Sequence, residues 1–236
     1  GFCWGASTSA HQVEGNNQND WSEWEKENAD RLSRESGGTY PPENYISGQA
    51  CDHYHRYEED FDIAKSLGHN AHRFSIEWSR VEPEEGRFDE KEIEHYRQVI
   101  AALRERGMEP FVTLWHWTNP VWFSRAGGWE NEQARDYFLQ YVEKVVRELD
   151  DVTFWITMNE QEAFVRHGYI THDRPPGIGT FFTAYRVLKN LAGAHAQAYQ
   201  AIKRVRKETT VGFSESRIFF EPYNRWPHNL LATKLI

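Results

Sequence analysis

Thr153-Phe154-Trp155-Ile156-Thr157-Met158-Asn159-Glu160 is an aromatic and β-branched run that stops on an Asn-Glu pair, the pattern of a buried strand with a polar C-terminal end. A parallel α/β barrel opens its active site at the C-terminal ends of its strands, so a carboxylate placed there faces substrate. Glu160 is therefore the first candidate for a proton-transfer group, and Asn159 beside it supplies an amide able to hold a hydroxyl. Taken alone, Glu160 would be an ordinary residue of the solvated loop after a strand. The repetition of the pattern elsewhere changes that reading.

Working outward, three more segments end in the same way. Phe2-Cys3-Trp4-Gly5-Ala6-Ser7-Thr8-Ser9-Ala10 runs into His11-Gln12-Val13-Glu14-Gly15, and Ala71-His72-Arg73-Phe74-Ser75-Ile76-Glu77-Trp78-Ser79-Arg80 carries an arginine inside an apolar strand pattern. Pro110-Phe111-Val112-Thr113-Leu114-Trp115 ends at His116-Trp117. Together these offer amides, an arginine, a histidine, a carboxylate and indoles. That set suits a sugar ring, which needs directed hydrogen bonds to its hydroxyls and an aromatic surface for its C–H face. No phosphate-binding loop or metal-ligand spacing competes, and Asp52, His53 and His55 read as residues solvating a helix start rather than as a metal site.

In these motifs the chain closely resembles the family-1 glycoside hydrolases, the β-glucosidase group. The resemblance rests on Phe2–Gly15, on Arg73-Phe74-Ser75-Ile76-Glu77-Trp78-Ser79-Arg80, on Thr113-Leu114-Trp115-His116-Trp117-Thr118-Asn119-Pro120 and on Thr157-Met158-Asn159-Glu160, in the family's order and across essentially the whole chain. It implies a (β/α)8 TIM barrel, of which this chain carries about the first five βα units as one partial catalytic domain over residues 1–236. It further implies a retaining β-glycosidase acting on β-linked glucosides or related glycosides without any cofactor. Glu160 would be the acid/base, Arg73 would lie beside the nucleophilic carboxylate, and Gln12, His116 and Asn159 would bind the sugar. Trp117, next to His116 at a strand end, is a further candidate sugar contact by its position.

Two departures from the family accompany this. Gln161 stands where the family usually has Pro, which would fix its own φ and restrict the residue before it. The family's second carboxylate lies in a Thr/Ser-Glu-Asn-Gly-like motif, and no such motif occurs between Glu160 and Ile236. A complete barrel takes roughly 250 residues or more. The expectation is thus the N-terminal part of a barrel, inactive on its own; the alternatives are a half-barrel completed by a complementary chain or by self-association, and a non-catalytic sugar-binding protein.

Composition bounds the classes left open. Of 236 residues 39% are hydrophobic and 15% aromatic, enough for a substantial core, while 27% are charged. No apolar run approaches the ~18 residues of a spanning helix, and the mean hydropathy is −0.79. A net charge of −9 disfavours nucleic acid, whose phosphates demand clustered Lys and Arg. The acidic runs Glu82-Glu84-Glu85 and Glu58-Glu59-Asp60 read as solvated faces. Two cysteines, Cys3 and Cys51, lack CxxC spacing, so free thiols in a reducing, cytoplasmic setting are expected.

Short apolar strands alternate with amphipathic helices, the sign of βαβ units. The pattern places strands at 1–9, 70–76, 109–115, 152–158 and 211–214. Helices are expected at 53–67, 90–106, 132–149 and 180–207, with Gly68 and Gly107 as stops, a long loop up to about Cys51, and the start of a fifth helix over 226–236. Trp4, Trp78, Trp115 and Trp122 read as core, Arg73 as a buried arginine in need of a carboxylate, and Glu14 as a structural partner of backbone or arginine groups.

Overall fold

A computed structural model describes residues 1–216, 221–229 and 231 of the chain. Strands β1 (Gly5–Ser7), β2 (Ala71–Ser75), β3 (Glu109–Trp115), β4 (Phe154–Asn159) and β5 (Thr210–Ser214) form one sheet in the order β1-β2-β3-β4-β5. Every neighbouring pair is parallel. Sequential parallel order is how a β/α barrel progresses, whereas a doubly wound sheet reverses at a switch point. The architecture is the first part of a barrel.

Long helices follow the strands. In chain order the helices are α1 (Ala10–Val13), α2 (Asp20–Glu35), α3 (His53–Ser66), α4 (Trp78–Val81), α5 (Glu90–Glu105), α6 (Val121–Arg125), α7 (Ala134–Glu148), α8 (Gln161–Arg166) and α9 (Phe181–Val205). Alternation along β2 sorts the side chains between two faces. His72 packs edge-on against Phe61 of α3 and Phe74 stacks with Tyr96 of α5, while Arg73 points to the hollow and donates to Thr113 of β3. The core lies between sheet and helices, where Phe61, Leu103, Phe138, Val142, Val187 and Leu191 are all fully buried. Each such side chain stabilises the fold by about 1.5–3 kcal/mol through burial. Among the described residues no helix is long and apolar enough to cross a membrane.

Several expectations are corrected here. The segment before Cys51 is not all loop: α2 occupies sixteen residues of it, with Asn19 accepting from the Ser22 amide and Ser22 Oγ accepting from the Asn19 amide in a reciprocal cap. Strand β1 has three residues rather than nine, because α1 begins at Ala10 directly after the Thr8 amide bonds the Arg73 carbonyl. Trp4 is 65% exposed rather than core, and Cys3 lies before β1 as an exposed free thiol, like Cys51. Glu82 is not a solvated charge; it is buried and accepts from Trp78 Nε1 at 2.7 Å and the Gly86 amide at 2.9 Å. Of the fifth helix only a helical start at 227–229 and at 231 is described, and the rest lies outside the described residues.

Candidate active site

The C-terminal ends of the strands surround a cavity of about 490 Å³. All six residues singled out from the sequence line it: Gln12, Arg73, His116, Trp117, Asn159 and Glu160. Strand β2 supplies Arg73, β3 runs straight into His116 and Trp117, and β4 ends at Asn159 with Glu160 next. Gln12 comes from α1, the one-turn helix after β1.

The polar groups fix one another's orientation. Arg73 Nη2 donates to Asn159 Oδ1 at 2.5 Å, and an arginine can only donate. The Asn159 amide is thereby set, which turns its Nδ2 towards His116 Nε2 at 3.3 Å. Nδ2 only donates, so Nε2 accepts and the imidazole proton sits on Nδ1. Burial, helped by the Arg73 charge, pushes the His116 ring down to about 4, so it is neutral near neutral pH. Trp117 Nε1 donates to the Asn159 carbonyl at 2.9 Å, tying the ends of β3 and β4 together. On the far side Ser9 Oγ donates to Gln12 Oε1 at 2.7 Å, which leaves the Gln12 amide hydrogens for a ligand.

Arg73 departs from its expected pairing. Its guanidinium donates to Thr113 Oγ1, Ser214 Oγ and Asn159 Oδ1, all neutral, and among the described residues it has no ion pair. Burial lowers its pKa, and the field of Glu160 acts the other way. Glu160 has φ 46° and ψ 59°, and its amide donates to the Ser214 carbonyl at 2.7 Å. Trp117 is left-handed as well, at φ 75°. Such backbone is sparsely populated for large side chains and gathers at functional sites, where the surroundings hold it. Gln161 is the first residue of α8, a position that asks nothing of its backbone N–H, so the change from Pro leaves the helix start intact.

Other lining residues were not legible beforehand. Trp21 enters from α2 and stacks on Trp117 with ring centres 5.8 Å apart. His11 also lines the cavity, with Nε2 3.0 Å from Glu25. Burial lowers the His11 pKa, but the bond to Glu25 and the charges of Glu77 and Glu25 outweigh it and leave the ring raised. His167 and Arg174 follow α8 and complete one wall. Glu14 stays out of the cavity: buried, it accepts from Arg80 Nε at 3.1 Å and from the Tyr96 hydroxyl at 2.8 Å. Trp78 and Trp115 are core. Asp52 accepts from His55 and Asp60 from His53, and among the described residues no group of metal ligands forms.

Comparison with known proteins gives three concordant findings. The model of glycosyl hydrolase family 1 matches residues 1–235. The chain is 34% identical to "Beta-glucosidase A" of Thermotoga maritima over all of its own length and 52% of that protein, and 32% identical to a "6-phospho-beta-galactosidase" of Staphylococcus aureus over 99% of itself and 49% of that protein. The solved β-glucosidase of Thermotoga maritima in complex with deoxynojirimycin superposes with a TM-score of 0.89 at 32% identity, covering 100% of this chain and 53% of that one. The chain spans about half the length of the curated relatives it matches.

Proposed function

The chain belongs to glycosyl hydrolase family 1, and from that premise we propose that it forms the acid/base and sugar-binding part of a retaining β-glycosidase, within one partial barrel domain. The observation that carries the reading is the convergence of Gln12, Arg73, His116, Trp117, Asn159 and Glu160 on one cavity at the strand ends. Relatives named β-glucosidase and 6-phospho-β-galactosidase support a β-glycoside as substrate and leave glucose and galactose configurations both open.

In this reading the amide hydrogens of Gln12, the amide of Asn159 and the imidazole of His116 hold ring hydroxyls, and Trp117 faces the C–H surface of the sugar. Glu160 protonates the glycosidic oxygen as it leaves and then withdraws a proton from the incoming water. Retention needs a second carboxylate roughly 5–5.5 Å from the first. Arg73, whose partners are all neutral, is the group beside which that carboxylate would lie, and its charge would hold the nucleophile ionised. We assign the second carboxylate to the part of the barrel beyond β5; among the described residues the outer strands β1 and β5 have free edges, available to the remaining strands or to a complementary chain. Exposed free thiols at Cys3 and Cys51 favour a reducing compartment, the cytoplasm.

Glu160→Gln in the complete barrel tests the assignment. Sugar affinity should persist because shape and hydrogen-bonding size are kept, while cleavage of glycosides with poor leaving groups should slow by roughly 10²–10⁴-fold. Activated aryl glycosides should lose far less in the first step and accumulate the covalent intermediate, and azide should restore turnover because it needs no general base. Unchanged hydrolysis of unactivated β-glucosides would remove Glu160 from the mechanism.

A further inference from the structure

The cavity carries a wall of flat side chains of which Trp117 alone belongs to the sugar-binding groups. Trp21 stacks on Trp117, and the Trp117 ring lies 6.2 Å from that of His167, so three flat side chains follow one another along it. Arg174 lines the same cavity. Gln12, His116 and Asn159 come from α1 and the ends of β3 and β4, whereas His167 and Arg174 lie on the chain that continues from Glu160 through α8. A proton donor to the glycosidic oxygen stands between sugar and leaving group. Lining residues that continue from Glu160 are therefore placed to border the leaving group.

The charge of the segment that carries His167 and Arg174 is unlike that of the chain. Arg166, His167, His172 and Arg174 fall within nine residues that hold one acid, Asp173, in a protein of net charge −9. Asp173 is already occupied by His167 Nδ1 at 3.0 Å and by the Thr171 hydroxyl. Arg166 Nη2 contacts His167 Nε2 at 3.0 Å. Among the described residues the Arg174 guanidinium has neither an ion pair nor a hydrogen bond, although most arginines near it in sequence have one. Its position is nevertheless set. Pro175 is buried, and a Cβ on Gly168 would stand 2.8 Å from the Pro175 carbonyl oxygen, so only glycine lets the two segments meet. An unpaired guanidinium presents a planar fork that matches a carboxylate.

Resting on the glycosidase reading above, we propose that this cavity selects aryl β-glycosides whose aromatic leaving group carries a carboxylate, with the ring against His167 and the carboxylate on Arg174. The test is equilibrium binding of two thioglycosides, which resist general-acid cleavage because sulfur accepts a proton poorly: phenyl 1-thio-β-D-glucoside and its 4-carboxyphenyl counterpart, titrated calorimetrically into the complete barrel and into its Arg174→Gln and Arg174→Lys variants. Arg174 is exposed, so neither change disturbs the core. The carboxylated ligand should bind about tenfold tighter to the unsubstituted protein, equivalent to about 1.4 kcal/mol. That advantage should fall to within about twofold in Arg174→Gln, survive in part in Arg174→Lys, and shrink between about 0.05 M and 0.5 M salt as screening shortens. Equal affinities in the unsubstituted protein, or a preference that persists in Arg174→Gln, would overturn this inference alone. Failure of both thioglycosides to bind would overturn the glycosidase reading and this inference with it.

Discussion

Arg73 shows what a single residue reveals in sequence and what it hides. An arginine between His72 and Phe74 in an apolar strand announces a polar purpose, and the structure gives it three acceptors in the hollow of the sheet. The identity of those acceptors was not legible, since Thr113, Asn159 and Ser214 come from three other strand segments. His72, one residue earlier, is hidden more deeply. It is buried against Phe61, with Nε2 3.3 Å from the Thr8 hydroxyl, and burial pushes its ring down to about 4. An unfolded histidine titrates near ~6.5, so this group stabilises the fold fully above that value and loses its contribution as pH falls from about 6.5 through about 4. Glu14 runs the opposite way: burial raises it to about 7, so its contribution is lost as pH rises through that value. A difference measurement separates the two. The stability of the parent relative to His72→Gln should shrink by about 2–3 kcal/mol between pH 7 and pH 4, read from denaturant unfolding at each pH, and parallel curves would show that His72 does not titrate with folding.

At the scale of elements, β2 to β5 were legible to within a residue or two at most ends because each is a short apolar run bounded by turn residues. Helices α5, α7 and α9 were equally plain, since their buried positions recur at helical spacing, as Ile93, Tyr96, Val99, Ile100 and Leu103 do in α5. Helix α2 escaped for a physical reason: its buried residues are Ser22, Glu25 and Ala29, so it lacks the apolar stripe that betrays a helix. Glu25 is buried because His11 and Ser47 satisfy it. What did mark the helix start was the Asn19 cap with Asp20 and Glu23 in the first turn. Asn19 also donates to Glu77 at 3.2 Å and contacts His11 Nδ1 at 3.2 Å, so one side chain joins α2, α1 and the end of β2. Asn19→Ala should therefore cost more than a surface cap, about 2–3 kcal/mol from the lost cap and the stranded buried partners together. A loss below about 0.5 kcal/mol in chemical denaturation would mean that α2 is held by other contacts. Because α2 carries Trp21, which stacks on the sugar-facing Trp117, the same change should weaken sugar binding in parallel.

For the whole molecule, the sheet has one satisfied face and one open one. Positions packed on the helices, such as Phe74, Val112 and Trp155, are buried, whereas Arg73, Phe111, Phe154 and Ile156 are only half-buried. Phe111 and Phe154 stack on one another at 4.3 Å, sheltering as much surface as a pair can without a facing layer. The outer strands are open too: every residue of β1 is exposed, and Phe213 of β5 is 49% exposed beside His195 of α9. A free edge with an apolar side chain next to it is a template for another strand. Residues 1–236 prepared alone should consequently associate, with a mass in sedimentation equilibrium that rises with concentration over the micromolar range. Phe213→Lys should reduce that association, because a charged side chain on an edge strand is poorly buried by an incoming neighbour. The competing outcome is a monomer whose mass is independent of concentration and which unfolds cooperatively. It would require that the half-buried ring pair and the short β1 already suffice to seal the sheet, and the barrel would then not need further strands for its stability.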